Sequence, residues 1–151
     1  MISYEEIFSR ALNKIDDPKE LLLDDNDLLE IYLQRLHSAV SKPFIRKLFS
    51  SIAFDDEIQE FSFVLTDSVD ANFDKDFVLE LLALGIAIEW LEPKVKSLKN
   101  TAKFFGGKEE KKLKDDYSLN KDMLKEMKIE QQKFIRDHGY AFKSYSKNDT
   151  E

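Results

Sequence analysis

The sequence predicts a mainly α protein: a small helical bundle with a long C-terminal helix, a short β-hairpin around residues 50–65 and an extended C-terminal tail. Three observations carry that expectation. Phe77, Leu81, Leu84, Ile88, Leu91, Val95 and Leu98 recur at alternating spacings of four and three, the period of an apolar helix face. Leu113, Tyr117, Asn120, Leu124, Met127, Gln131 and Phe134 repeat the spacing with two polar interruptions. Gly106-Gly107 separates the two stripes. The first stripe reads as a helix buried in a core, the second as a long, charged, partly exposed helix. Together they imply a small body with a projecting helix, a shape suited to assembly rather than to chemistry. With Asn120 and Gln131 in it, the second stripe is too polar for a solitary coiled coil and is expected to pack against its own body or a neighbour. The expected organisation is one domain over residues 1–139, with a body at 1–100, a hinge at 101–107 and a long helix at 108–138. A tail follows at 140–151.

The elements follow in order. Ser3 and Glu6 form a capping box that opens a helix, with Ile7, Ala11 and Ile15 on one face and Pro18 closing the element. Leu21-Leu22-Leu23 reads as a short apolar connector. It leads to Asp24-Asp25-Asn26-Asp27, where acids favour a helix N-terminus. The second helix runs to about Val40, burying Leu29, Tyr32 or Leu33, Leu36 and Val40, and Pro43 stops it near Ser41. Residues 44–65 admit two readings. Phe44, Leu48 and Ile52 fit a helix, and Ile58 to Leu65 fit a helix capped by Asp55 or Asp56. Phe61, Phe63 and Leu65 also alternate, which favours a hairpin. Residues 66–74 read as a loop. The third helix starts near Asp74. Pro93 removes an amide and clashes with the Glu89 carbonyl, so a kink or a restart is expected there. The fourth helix should end near His138 with Gly139 as its left-handed cap. Glu110–Lys114, Lys111–Asp115 and Lys112–Asp116 support it as opposite charges four residues apart.

At 151 residues the chain can bury roughly 70% of its unfolded surface without a metal or disulfide staple. It has no cysteine, which excludes disulfides, thiolate nucleophiles and cysteine-ligated zinc and is compatible with an intracellular origin. The N-terminus has no basic region followed by an apolar run, so no signal peptide is expected. The most apolar window, Phe77 to Leu91, is interrupted by Glu80 and Glu89 and is too short for a membrane span, so a soluble chain without a membrane partner is expected. Residues 1–100 hold 11 basic and 20 acidic side chains, a net of −9, and residues 101–151 hold 12 and 10, a net of +2. An acidic body disfavours nonspecific binding to phosphates. The charge split is either a solvated surface or a guide for head-to-tail contacts between copies.

Signals for catalysis are weak. His37 and His138 lie far apart, outside any HExxH pattern, and surface or helix-end roles suit them; His138 in a last helical turn would favour the dipole when protonated. A calcium loop counted from Asp25 places Leu29 and Glu30 at its fifth and sixth positions and fails. Helix capping accounts for Asp24–Asp27 and Asp55–Glu57. Gly106-Gly107-Lys108 lacks the upstream glycine and the following Ser or Thr of a phosphate loop, and no Gly-x-Ser-x-Gly elbow occurs. No catalytic residue, metal ligand or cofactor is therefore expected, and the chain reads as a non-enzyme. Phe104 and Phe105 beside two glycines either cover the base of the domain or dock on a partner. Tyr140, Phe142 and Tyr145 in the tail carry the same choice, since an aromatic tail can add to a neighbour's groove.

Several stretches together resemble a known family. They are Leu84-Gly-Ile-Ala-Ile-Glu-Trp-Leu-Glu-Pro-Lys-Val-Lys-Ser-Leu running into Phe104-Phe-Gly-Gly-Lys-Glu-Glu-Lys, and Ile135-Arg-Asp-His-Gly-Tyr near the end. Lys14-Ile-Asp-Asp-Pro, Leu48-Phe-Ser-Ser-Ile and Asp55-Asp-Glu-Ile-Gln join them. The combination resembles small structural proteins of tailed bacteriophages of Gram-positive hosts. The resemblance implies a head–tail connector of the virion neck, present in the host cytoplasm during assembly. Such an adaptor is mainly helical, forms a ring of usually twelve copies on the portal, meets a tail or stopper protein and lets DNA through its lumen. Another tail-completion or tail-assembly factor, or a helical binding module outside the virion, are the other readings.

Overall fold

The computed structural model describes residues 1–101, 104 and 106–148. In chain order the elements are β1 (Ile2–Ser3), α1 (Tyr4–Lys14), a 3-10 turn (Glu20–Leu22), α2 (Asp25–Ser41), α3 (Pro43–Arg46), β2 (Phe49–Asp55), β3 (Glu60–Leu65), α4 (Ala71–Thr101) and α5 (Gly107–Asn148). The protein is mainly helical, with one small antiparallel sheet of order β1-β3-β2.

The capping box forms as the sequence requires. Ser3 Oγ accepts from the Glu6 amide, while Glu6 Oε2 accepts from the Ser3 amide at 3.2 Å. Asp24 caps α2 by accepting from the Asn26 amide, and α2 ends at Ser41, just ahead of Pro43. Pro43 then opens the one-turn helix α3, where the lost amide costs nothing.

The hairpin is the correct reading of residues 49–65. Ile52 pairs with Phe63 and Phe54 with Phe61, and an extra residue, Ser50, bulges between Phe49 and Ser51. Asp55 and Asp56 do not cap a helix. Asp55 Oδ1 accepts from the Glu57 and Ile58 amides at 3.2 Å and closes the hairpin turn. Asp56 Oδ1 accepts from the Tyr4 hydroxyl at 2.6 Å. Gln59 takes the left-handed φ of 56°, and its carbonyl accepts from the Tyr4 amide at 2.8 Å. These bonds tie the start of α1 to the hairpin, and the two-residue strand β1 follows: Ile2 pairs with Phe61 and Ser3 with Glu60.

Helix α4 is the centre of the molecule. The stripe from Phe77 to Leu91 is buried, but so are Val78, Leu79, Leu82, Ala83, Ile86, Ala87 and Trp90. A helix apolar on every side must be enclosed, and α1, α2 and α5 enclose this one. The two acids within Phe77–Leu91 are met by partners from the surrounding helices. Glu80 pairs with Lys14 at 2.5 Å and Arg10 at 3.6 Å, and Glu89 accepts from Ser38 Oγ at 3.0 Å and pairs with Lys42 at 3.4 Å. Pro93 lies inside α4, which continues as one helix to Thr101, so of the kink or restart expected there the restart does not occur.

Helix α5 corrects two expectations. It does not stop at His138. Gly139 is an ordinary helical residue with open space around it, and the helix continues to Asn148, so residues 140–148 are helix rather than extended tail. Residues 149–151 lie outside the described residues. The projecting arm gives way to the other expectation, packing on its own body: α5 folds back antiparallel along α4. Lys128 pairs with Glu92 at 2.8 Å, and Phe134 and then His138 stack on Phe77.

Candidate functional site

The α4–α5 hairpin positions the aromatic residues that the sequence nominates for docking, and it sends them to opposite ends. At the connecting end, the Phe104 amide donates to the Thr101 carbonyl at 3.0 Å, and its side chain stands 86% exposed. Gly107 takes a φ of 73°, which only glycine adopts without strain, and begins α5. Phe105 lies outside the described residues. Phe104 therefore does not cover the base of the domain.

Tyr140, Phe142 and Tyr145 lie at the other end. Phe142 and Tyr145 follow His138 by four and seven residues, so they continue the face that packs on α4. Phe142 is half-buried and Tyr145 about half exposed. Tyr140 points away from that face and is exposed. At 1.5 Å per residue, the 31 residues of α4 hold the two ends about 45 Å apart. The nominated residues form no single site: they fall at the two ends of the α4–α5 hairpin.

The face of α5 beside the second end is closely built. The His138 ring stacks on Phe77 at 3.9 Å and lies 5.6 Å from Phe73. Its Nε2 is buried 3.7 Å from Asp74 Oδ1. Asp74 in turn accepts from the Ser68 hydroxyl and from the Val69 amide at 3.0 Å. His138 is thus an interior residue of the α4–α5 interface, not the helix-end histidine expected from sequence. The His37 ring lies tilted against Phe54, 4.1 Å between centres, with Nε2 3.7 Å from Asp56. A cleft of about 550 Å³ opens beside His138, with Phe73, Phe77 and Phe134 in its wall and Asp76, Glu80, Asp137 and Arg10 around it.

A second cleft, of about 220 Å³, lies where Gly85 of α4 meets Ala39 of α2 and Gln131 of α5. The ion pairs Lys42–Glu89 and Lys128–Glu92 flank it.

The groups with displaced pKa values serve the fold. Burial raises the Asp17 carboxyl, but hydrogen bonds from Lys94 and from Trp90 Nε1 outweigh it and hold the group down at about 2. Burial pushes the Tyr4 hydroxyl up, and its bond to Asp56 adds to the shift. Burial likewise pushes Tyr32 up to about 12. Among the described residues no group of three or more His, Asp or Glu is placed to hold a metal ion, and no helix is long and apolar enough to cross a membrane.

Sequence reasoning passed over one surface. Leu21, Leu22 and Leu23 form the expected connector, as a 3-10 turn and its cap, but they do not pack: Leu21 and Leu22 stand 69% and 87% exposed. After them, α2 and α1 form the walls of an apolar groove. An apolar triplet between two acidic runs was the signal available in the sequence.

The chain matches no protein-family model, no curated protein and no solved structure.

Proposed function

We propose that this chain is a structural subunit of a tailed-phage neck, a head–tail connector that forms a ring on the portal, of twelve copies in the reading favoured here. A tail or stopper protein meets its other side, and DNA passes through the lumen without sequence-specific contact. The resemblance described above suggests the class. The observation that carries the reading is the placement of exposed aromatics at both ends of one helical rod, about 45 Å apart. A rod with an apolar contact at each end suits a part that bridges two partners, because exposed aromatic anchors dominate such contacts.

Charge supports the channel. Each chain carries −7, so twelve copies carry roughly −84. Acids turned to the lumen would keep DNA from adhering to the wall. A ring whose lumen is lined by Lys and Arg contradicts that arrangement.

The test is electron microscopy of the purified protein and of the intact particle. Rings in isolation, and density for this chain between portal and tail, are the expected results. Density within the tail would instead make it a tail-completion factor. Absence from the particle would leave a helical binding module outside the virion.

A further inference from the structure

We infer that the chain associates head-to-tail with a second copy of itself, Phe104 of one copy entering the apolar groove between α1 and α2 of the next. The contact rests on the self-association that the ring reading requires and goes beyond it by naming both faces.

The groove has a volume of about 170 Å³ and is lined by Phe8, Leu12, Leu28, Leu29, Tyr32 and the stem of Asp25. An apolar cavity of about 150 Å³ accepts a benzene-sized ring. Leu21 and Leu22, in the turn that leads into α2, are further apolar surface that the monomer leaves in water. Phe104 is 86% exposed in its own chain, so it does not fill its own groove.

Charge selects the occupant. Residues 16–30, the segment that supplies Asp25, Leu28 and Leu29 to the groove, hold seven acids and one lysine, a net of −6. Residues 94–114, which surround Phe104 in the chain, hold eight lysines and two glutamates, a net of +6. Inside the monomer, Asp17 is met by Lys94 and Glu20 by Arg35. Asp16, Asp24, Asp25, Asp27 and Glu30 stay exposed, as do Lys96, Lys99, Lys108, Lys111 and Lys112. An apolar knob in a lysine-rich segment complements an apolar groove in an acid-rich one, and such charges steer encounter and set register. Knob and groove are different surfaces, so the contact is heterologous. Repeated, it closes into a ring or runs on as a filament.

The test is sedimentation and native mass spectrometry of the full chain at micromolar concentrations, in low and high salt. The wild type should associate, and salt should weaken the association. Phe104→Ser and Leu22→Ser change exposed side chains, so circular dichroism should be unaltered while the dissociation constant rises about tenfold or more. The triple reversal Asp16→Lys, Asp25→Lys, Asp27→Lys should be monomeric alone, and so should Lys108→Glu, Lys111→Glu, Lys112→Glu. Mixed in equal amounts, the two reversed chains should assemble, because each knob then meets a groove of opposite charge. A monomeric wild type overturns the contact. So does a wild-type oligomer unaffected by these variants, and that result leaves the ring reading standing. A wild type that assembles through this contact but is missing from the particle keeps the contact and removes the neck reading.

Discussion

Asp17 joins two parts of the chain distant in sequence. Its carboxylate accepts from Trp90 Nε1 at 3.0 Å and meets Lys94 Nζ at 2.7 Å, fastening the α1–α2 connection to α4. Lys94 also lies over the Trp90 ring, 4.4 Å from its centre. The folded protein holds this carboxyl at about 2, below its ordinary 3.8. A depressed carboxylate stabilises the fold above its unfolded pKa, and that stability is lost as pH falls through the folded value. The contribution, roughly 2 kcal/mol, is therefore full above about pH 4 and fades down to about pH 2. Asp17→Asn should lower stability by that order at pH 7 and flatten the acid limb. Urea unfolding of both proteins from pH 7 to pH 2 measures it, and parallel curves would refute the assignment. Asp17 was legible only as an acid near Pro18, because its partners lie more than 70 positions away.

At the scale of elements, the close approach of α2, α4 and α5 depends on one missing side chain. A Cβ at Gly85 would stand 2.9 Å from Ala39 Cβ and 3.7 Å from Gln131 Nε2. The first contact is with an atom fixed to its backbone, so two helices would have to move. Alanine normally gains about 1 kcal/mol over glycine inside a helix. Here overpacking, about 1–3 kcal/mol, should win, and Gly85→Ala should be net destabilising. Adding Ala39→Gly relieves the clash, so the double variant should be more stable than the sum of the two single changes. Strict additivity in thermal unfolding would show that the helices do not meet there. Both heptad stripes were legible because the period of apolar positions survives whatever packs on them. The second stripe continues through His138 to Phe142. Its polar members are accommodated: Asn120 Nδ2 donates to the Asp116 carbonyl at 2.8 Å, and Gln131 is buried beside Gly85. The helix end was misread at Gly139 because glycine marks a cap only where the chain turns, and here it continues straight.

As a whole the molecule is a buried helix, α4, wrapped by α1, α2 and α5, with the hairpin sheet at one side. Whether α5 belongs to the body or to an arm is a question about its last turns. Gln131 and His138 are buried and Phe134 stacks on Phe77 at 5.2 Å, whereas beyond them Gly139, Ala141 and Phe142 are half-buried and residues 143–147 are exposed. Removing residues 140–151 should leave the fold intact at a loss of about 1 kcal/mol, chiefly from Phe142. Removing residues 131–151 should expose Phe77 and cost several times more. Urea titration of both truncations tests this, and equal losses would mean that α5 is not part of the core. If the last turns dock on the portal, the shorter truncation should also fail to join it, and normal assembly would reject that role.

The sequence by itself determined that α4 is buried, where α1 begins, and where α2 begins and ends; each rests on a local cause, a period, a cap or a proline. The alternation in residues 49–65 left helix and hairpin both open, and the pairing of the strands decided between them. Only the tertiary structure decided that α5 lies along α4, that Pro93 leaves its helix whole, that Ile2–Ser3 joins the sheet, and that Leu21 and Leu22 face water. These outcomes depend on which surfaces remain to be covered once α4 is enclosed, and no single segment carries that information.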